Sequence, residues 1–167
     1  GLGDVYKRQI LCRCLPAYTQ DEVKYLQKDS IVATELLKSC MNECKTKDNC
    51  LMYFARKLKS VPYVARTLEG GECERLVVNL RQLDCTTYVE NVIALYLCIK
   101  NEKTTFRDFC NYLRNIRYEN GIVTYPTRLH YFSYWIEQNT LTGIVREIVP
   151  QDSSVTEDSE YDIYYMS

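Results

Sequence analysis

Histidine is almost missing from this chain. His130 is the only one in 167 residues, which excludes a multi-histidine metal site within the sequence. Charge of one sign is also lacking, with 21 Lys+Arg against 22 Asp+Glu. No basic stripe points to nucleic acid, and no acidic run is long enough to buffer cations. A run of about 18 apolar residues, the minimum for a membrane-spanning helix, is absent. So are internal repeats and low-complexity segments. The length suits one domain with a hydrophobic core.

Cysteine and tyrosine are plentiful instead, at nine and 15 residues. The ends qualify the cysteine count. Residues 1–9, "GLGDVYKRQ", read as adapter-derived and stand outside the fold. Residues 10–19 read as the tail of a secretory signal, with Pro16, then small Ala17 and Thr19 before a cut. Export to a bacterial periplasm or beyond is expected. Cys12 and Cys14 would leave with that signal, so seven cysteines remain, an odd number. Cys40, Cys44 and Cys50 are close in sequence, with three and then five residues between them. Those spacings match no common zinc pattern, so no metal or other cofactor is expected, and a local disulfide is the stronger alternative. Cys98 and Cys110 fall on apolar helical faces and read as core.

Residues 20–167 read as part of one α+β domain, rich in helix, with an incomplete antiparallel sheet. From Asp29, with Asp29 or Ser30 as cap, Ile31, Val32, Glu35, Leu36 and Leu37 keep helical rhythm. A second helix buries Leu51, Phe54, Ala55 and Leu58. It stops before Pro62, which disfavours the helical conformation at Val61. "ERLVVNL" reads as a strand. A third helix spans 84 to about 100 with Val89, Val92, Ile93, Tyr96 and Leu97 as its buried stripe. A fourth carries Phe106, Phe109, Cys110, Leu113 and Ile116 on one face, capped by Thr104 or Thr105. Asn120-Gly121 signals a hairpin. "LHYFSYWIEQN" is a short aromatic helix, "GIVREIV" a strand and "PQDSSVTEDSE" a polar loop.

The start of the third helix carries the chemistry. Asp84 is a good N-cap, able to accept from the amide of Thr86 or Thr87. Cys85 then lies in the first turn, where the helix dipole and the amides favour a thiolate. The same amides could hold an oxyanion formed on a carbonyl under attack. The competing reading makes Cys85 one more buried sulfur.

Four stretches in order, "YFARKLKSVPYVARTLE", "ERLVVNLRQLDCTTYVENVIAL", "IRYENGIVTY" and "TRLHYFSYWI", resemble the N-acetylmuramoyl-L-alanine amidase-like family. This family is placed within the NlpC-like, papain-fold cysteine peptidases and amidases. The resemblance implies Cys85 as nucleophile. It also implies hydrolysis of the amide between N-acetylmuramic acid and L-alanine in peptidoglycan fragments. Those muropeptides would be the partner, with no nucleic acid and no membrane span. Tyr63 matches a tyrosine that lines the cleft in the family. Thr86 is small enough to admit substrate. Arg128 and His130 are expected on the substrate side or as structural contacts, with His130, the only histidine, a weaker candidate for the general base. The general base in the family follows the "RLHYF" segment on a sheet strand, so the resemblance implies a C-terminally truncated chain that is inactive alone. Two positions depart from the family: Arg66 stands where glycine is usual, and Tyr134 where an acidic residue is frequent. Two other functions remain: an exported, disulfide-containing helical module without activity, and a cysteine peptidase that cuts within the stem peptide.

Overall fold

A computed structural model describes residues 23–146, apart from 45, 70 and 72 and the side chain of 48. Five helices and one small sheet make up the described residues. Strand β1 (Val23–Lys24) leads to α1 (Gln27–Glu43), a 3-10 turn at Lys47–Asn49 and α2 (Cys50–Leu58). Strand β2 (Leu76–Val77) follows, then α3 (Cys85–Lys100) and α4 (Phe106–Arg117). Two 3-10 turns at Glu119–Gly121 and Tyr125–Thr127 precede α5 (Phe132–Leu141). β1 pairs with β2 in parallel, Val23 opposite Leu76 and Lys24 opposite Val77. The expected antiparallel sheet is thus corrected among the described residues. The connection from β1 to β2 runs through α1 and α2, a crossover that parallel neighbours require.

α3 is the spine, packed against α1, α2 and α4. Its buried residues are Thr87, Glu90, Asn91, Val92, Ala94, Leu95, Cys98 and Ile99. The expected stripe catches only Val92, while Val89, Ile93, Tyr96 and Leu97 are partly buried against the same core. A helix covered by three others has no single dry face, so a one-sided periodicity misplaces it. The Tyr88 hydroxyl donates to Ala55 O at 2.7 Å and ties α3 to α2. Phe54 and Leu58 of α2 are buried as expected, with Cys50, whereas Leu51 is exposed.

α1 begins earlier than its expected cap, and Asp29 does more than end a helix. Its carboxylate accepts from Leu26 N at 2.9 Å, and also from Leu80 N at 3.0 Å and Arg81 Nε at 3.1 Å. This fully buried side chain thereby fastens the segment leading to Cys85 onto α1. Ile31 faces solvent, and Ala33, Leu37 and Cys40 make the buried side.

α4 and its Thr105 cap stand as read, with Phe109, Cys110, Leu113 and Ile116 buried. The expected hairpin at Asn120-Gly121 is a 3-10 turn instead. Both residues have positive φ, 54° and 67°, the left-handed pair that reverses a chain tightly. The returning segment makes only one antiparallel bridge, Tyr118 with Arg128. Within "GIVREIV", Gly143–Arg146 is not strand, and the remainder lies outside the described residues. The adapter-like run, the signal-like segment and the polar loop at 150–160 also lie outside them.

Candidate active site

Asp84 caps α3 with its carboxylate, Oδ1 accepting from Thr87 N at 2.8 Å and from the Thr87 hydroxyl at 2.9 Å. Thr87 Oγ1 accepts in turn from Asp84 N at 2.9 Å, closing a capping box. The box fixes the direction in which the helix starts. Cys85 is its first residue and is exposed. Its Sγ lies 4.0 Å from Thr86 Oγ1. Cys98 and Cys110 are buried, and desolvation pushes both thiols up to about 12. They are inert core sulfurs, as read.

The Pro-Tyr and Asp-Cys motifs meet. Leu83 N donates to Pro62 O at 3.1 Å, and Val64 N donates to Leu83 O at 3.0 Å. A parallel bridge joins Tyr63 to Leu83, two residues before Cys85. Tyr63 is 71% exposed, so its ring stands beside the helix start with little packing.

Next to that start lies a cavity of about 310 Å³. Asp84, Thr86, Arg128 and His130 all line it, together with Arg66 and the pair Glu90–Arg117. Four expected site residues therefore share one wall. Neither Cys85 nor Tyr63 lines it, although Asp84 and Thr86, the neighbours of Cys85 in sequence, do. A larger cavity of about 580 Å³ shares Leu68, Glu69 and Arg128 with the first but touches no residue of α3.

The floor was not visible in the sequence. Arg117 Nε donates to Glu90 Oε2 at 2.7 Å, with both side chains 2% exposed. A second guanidinium nitrogen of Arg117 donates to Val77 O at 2.6 Å. Burial raises the Glu90 carboxyl above the usual carboxylate range, and the adjacent guanidinium opposes that rise. A charged residue among the apolar positions of α3 was the one available signal. Beside this pair, the Tyr118 hydroxyl donates to Glu74 Oε1 at 2.7 Å, and Arg128 pairs with the same oxygen at 3.2 Å. Desolvation, then the bond to Glu74, pushes the Tyr118 phenol up. Arg128 is thus held from below, and its guanidinium lies 5.1 Å from the Tyr125 ring centroid.

His130 does not pair with Cys85. Its Nε2 lies 2.9 Å from Tyr125 O, and its ring packs 4.5 Å from the Tyr125 ring. One imidazole nitrogen is therefore occupied by a carbonyl, which requires that nitrogen to carry a proton.

Arg66 has a φ of 62°. The left-handed region penalises side chains with a Cβ, so arginine carries a backbone cost here that glycine would not.

The sequence profile described as N-acetylmuramoyl-L-alanine amidase-like matches residues 53–164, more than half of the chain. A crystal structure of an N-acetylmuramoyl-L-alanine amidase from Bacteroides uniformis is 38% identical, with a TM-score of 0.54 over 58% of this chain and 41% of that one. A second structure of such an amidase from the same organism is 37% identical, with a TM-score of 0.53 over 57% and 40%. The chain thus spans less than half the length of either. A Legionella pneumophila protein at 20% identity shares the fold, with a TM-score of 0.60 over 70% of this chain and 38% of that one. No curated protein matches. Among the described residues no helix is long and apolar enough to cross a membrane. From the profile match and the meeting of its motifs at one helix start, the chain belongs to the N-acetylmuramoyl-L-alanine amidase-like family.

Proposed function

We propose that this chain carries the nucleophile and part of the cleft of a cysteine amidase. Its substrate is the amide between N-acetylmuramic acid and L-alanine in peptidoglycan fragments. The observation that carries the reading is the pairing of Pro62–Val64 with Leu83, which sets an exposed Cys85 at a capped helix start whose residues Asp84 and Thr86 line the cavity. The papain-like NlpC architecture and export of the protein belong to the same reading.

In this reaction the Cys85 thiolate attacks the lactyl carbonyl carbon. A C–S bond forms, and the electron pair moves onto the carbonyl oxygen. Amides at the start of α3 are suited to receive that negative charge. Collapse breaks the C–N bond, and the departing L-alanyl amine takes a proton. Water then hydrolyses the thioester and restores Cys85. Arg128, held by Glu74, presents fixed positive charge to a substrate carboxylate. The protonated Nε2 of His130 is committed to Tyr125 O, which suits a cleft-wall role. On this reading the general base is a residue other than His130.

An affinity label tests the assignment. A muramic acid derivative with a chloromethyl ketone at the position of the amide should alkylate Cys85 with saturating kinetics. A sugar-free chloromethyl ketone should react without saturation. Equal behaviour of the two reagents would reject muramoyl recognition. Saturation only by a stem-peptide ketone would assign a peptidase. Turnover by the 167 residues that vanishes in His130→Ala would make His130 the base.

A further inference from the structure

Far from Cys85, three other cysteines come together. Cys40 lies in the last turn of α1, Cys44 is the residue that ends it, and Cys50 opens α2. The 3-10 turn at Lys47–Asn49 folds the second helix back, so that all three Sγ atoms lie within 4.8 Å of one another. Cys40 and Cys44 Sγ are 3.6 Å apart. A disulfide needs about 2.05 Å, and the Cys40–Cys44 pair stands well beyond that.

The separations are near those of a thiolate-bound metal. Tetrahedral zinc holds each thiolate at about 2.3 Å, which places two sulfurs roughly 3.8 Å apart. Cys40–Cys44 already meets that value, and the widest pair needs to close by about 1 Å. Cys40 is fully buried and Cys50 is 2% exposed, so both ligands are held by packing. Cys44 is half-buried and gives a path for entry, a requirement of any real site. Cys50 Sγ meanwhile donates to Thr46 O at 3.5 Å, within the connecting turn.

We propose that Cys40, Cys44 and Cys50 form a three-thiolate binding site for a thiophilic divalent ion of the zinc class. Soft sulfur ligands select such ions over magnesium or calcium. Three S–metal bonds form as three S–H protons pass to solvent. The ion then clamps the end of α1 to the start of α2, the helix pair on which α3 rests. The linear spacing hid this site because the 3-10 turn, and not the count of residues, brings the third sulfur in. Uptake should strengthen with rising pH, since metal and proton compete for the same sulfurs.

The test uses the 167-residue chain, reduced and stripped of metal, then dialysed against zinc or cobalt(II). We expect one zinc per chain by elemental analysis. The cobalt form should show intense thiolate-to-metal charge-transfer absorption in the near ultraviolet. Cys44→Ser, at the half-buried position, should lose both signals while keeping its helical circular dichroism. Cys73→Ser and Cys85→Ser should keep both. No stoichiometric uptake, or uptake unchanged in Cys44→Ser, would overturn the site. So would a Cys40–Cys44 disulfide found in the protein purified without reductant. None of these readouts depends on amidase activity, so the site can fail while the assignment of Cys85 stands.

Discussion

On the floor of the cleft, Glu90 and Arg117 meet at 2.7 Å with both side chains 2% exposed. At its edge, Arg66 and His130 face solvent, as do Cys85 and Tyr63 at the adjoining start of α3 and its bridge to Leu83. The floor is fixed by desolvation. Each charge there has been taken out of water and is tolerable only because its partner is in place. The edge is fixed by backbone, through the capping box at Asp84, the Tyr63–Leu83 bridge and the left-handed turn at Arg66. Lesions in the floor should therefore be read in stability, and lesions at the edge in reactivity.

The largest effect should follow from breaking the floor. Arg117→Ala leaves Glu90 buried without its partner and should cost about 3–5 kcal/mol, read from urea denaturation. A loss below about 1 kcal/mol would mean that water reaches the pair and the floor is not dry. Alkaline pH should come next. Cys98 and Cys110 keep their protons to about 12 when folded, whereas their ordinary value is 9.0. Below 9.0 both states are protonated and the contribution is complete. Above it only the unfolded chain ionises, so stability should fall as pH rises from 9 towards 12. Replacing both cysteines by alanine should flatten that part of the pH–stability curve.

Asp84→Ala removes the cap of α3 and should cost about 1 kcal/mol, together with a change in the alkylation rate of Cys85. A stability loss with no change in rate would separate the cap from the chemistry. Arg66→Gly relieves the left-handed turn and should stabilise by up to about 1 kcal/mol, seen as a raised denaturation midpoint. The smallest shifts belong to the exposed rings. Tyr63→Phe and His130→Ala should stay within about 0.5 kcal/mol of the parent. A larger loss in either would place that residue in the scaffold.

Much of the edge was legible in the sequence, because it is built from local signals. An aspartate before a periodic run predicts the cap at Asp84 and the start of α3, and Thr105 does the same for α4. The floor was not legible. Glu90 and Arg117 are 27 residues apart, and no local pattern tells a buried charge from a solvated one. The expected stripe of α3 differs for a related reason, since Ala94 and Leu95 lie outside it and are nonetheless fully buried in a helix packed on three sides. Asn120-Gly121 predicted the reversal correctly, but the hairpin needs strand pairing that the following residues supply at only one bridge. The positive φ of Arg66 has no local signature in the sequence, because arginine is not a residue that turn chemistry selects for it.

Competitive alkylation tests the central claim most directly. Cys85 and Cys73 are both exposed, but only Cys85 opens a capped helix. The folded chain is treated with limiting iodoacetamide at neutral pH, and label on each cysteine is quantified by mass spectrometry. The account predicts that Cys85 is labelled at least several-fold faster than Cys73, and that Cys98 and Cys110 stay unlabelled until the chain is unfolded. Labelling of Cys85 no faster than Cys73 in the folded chain would contradict it.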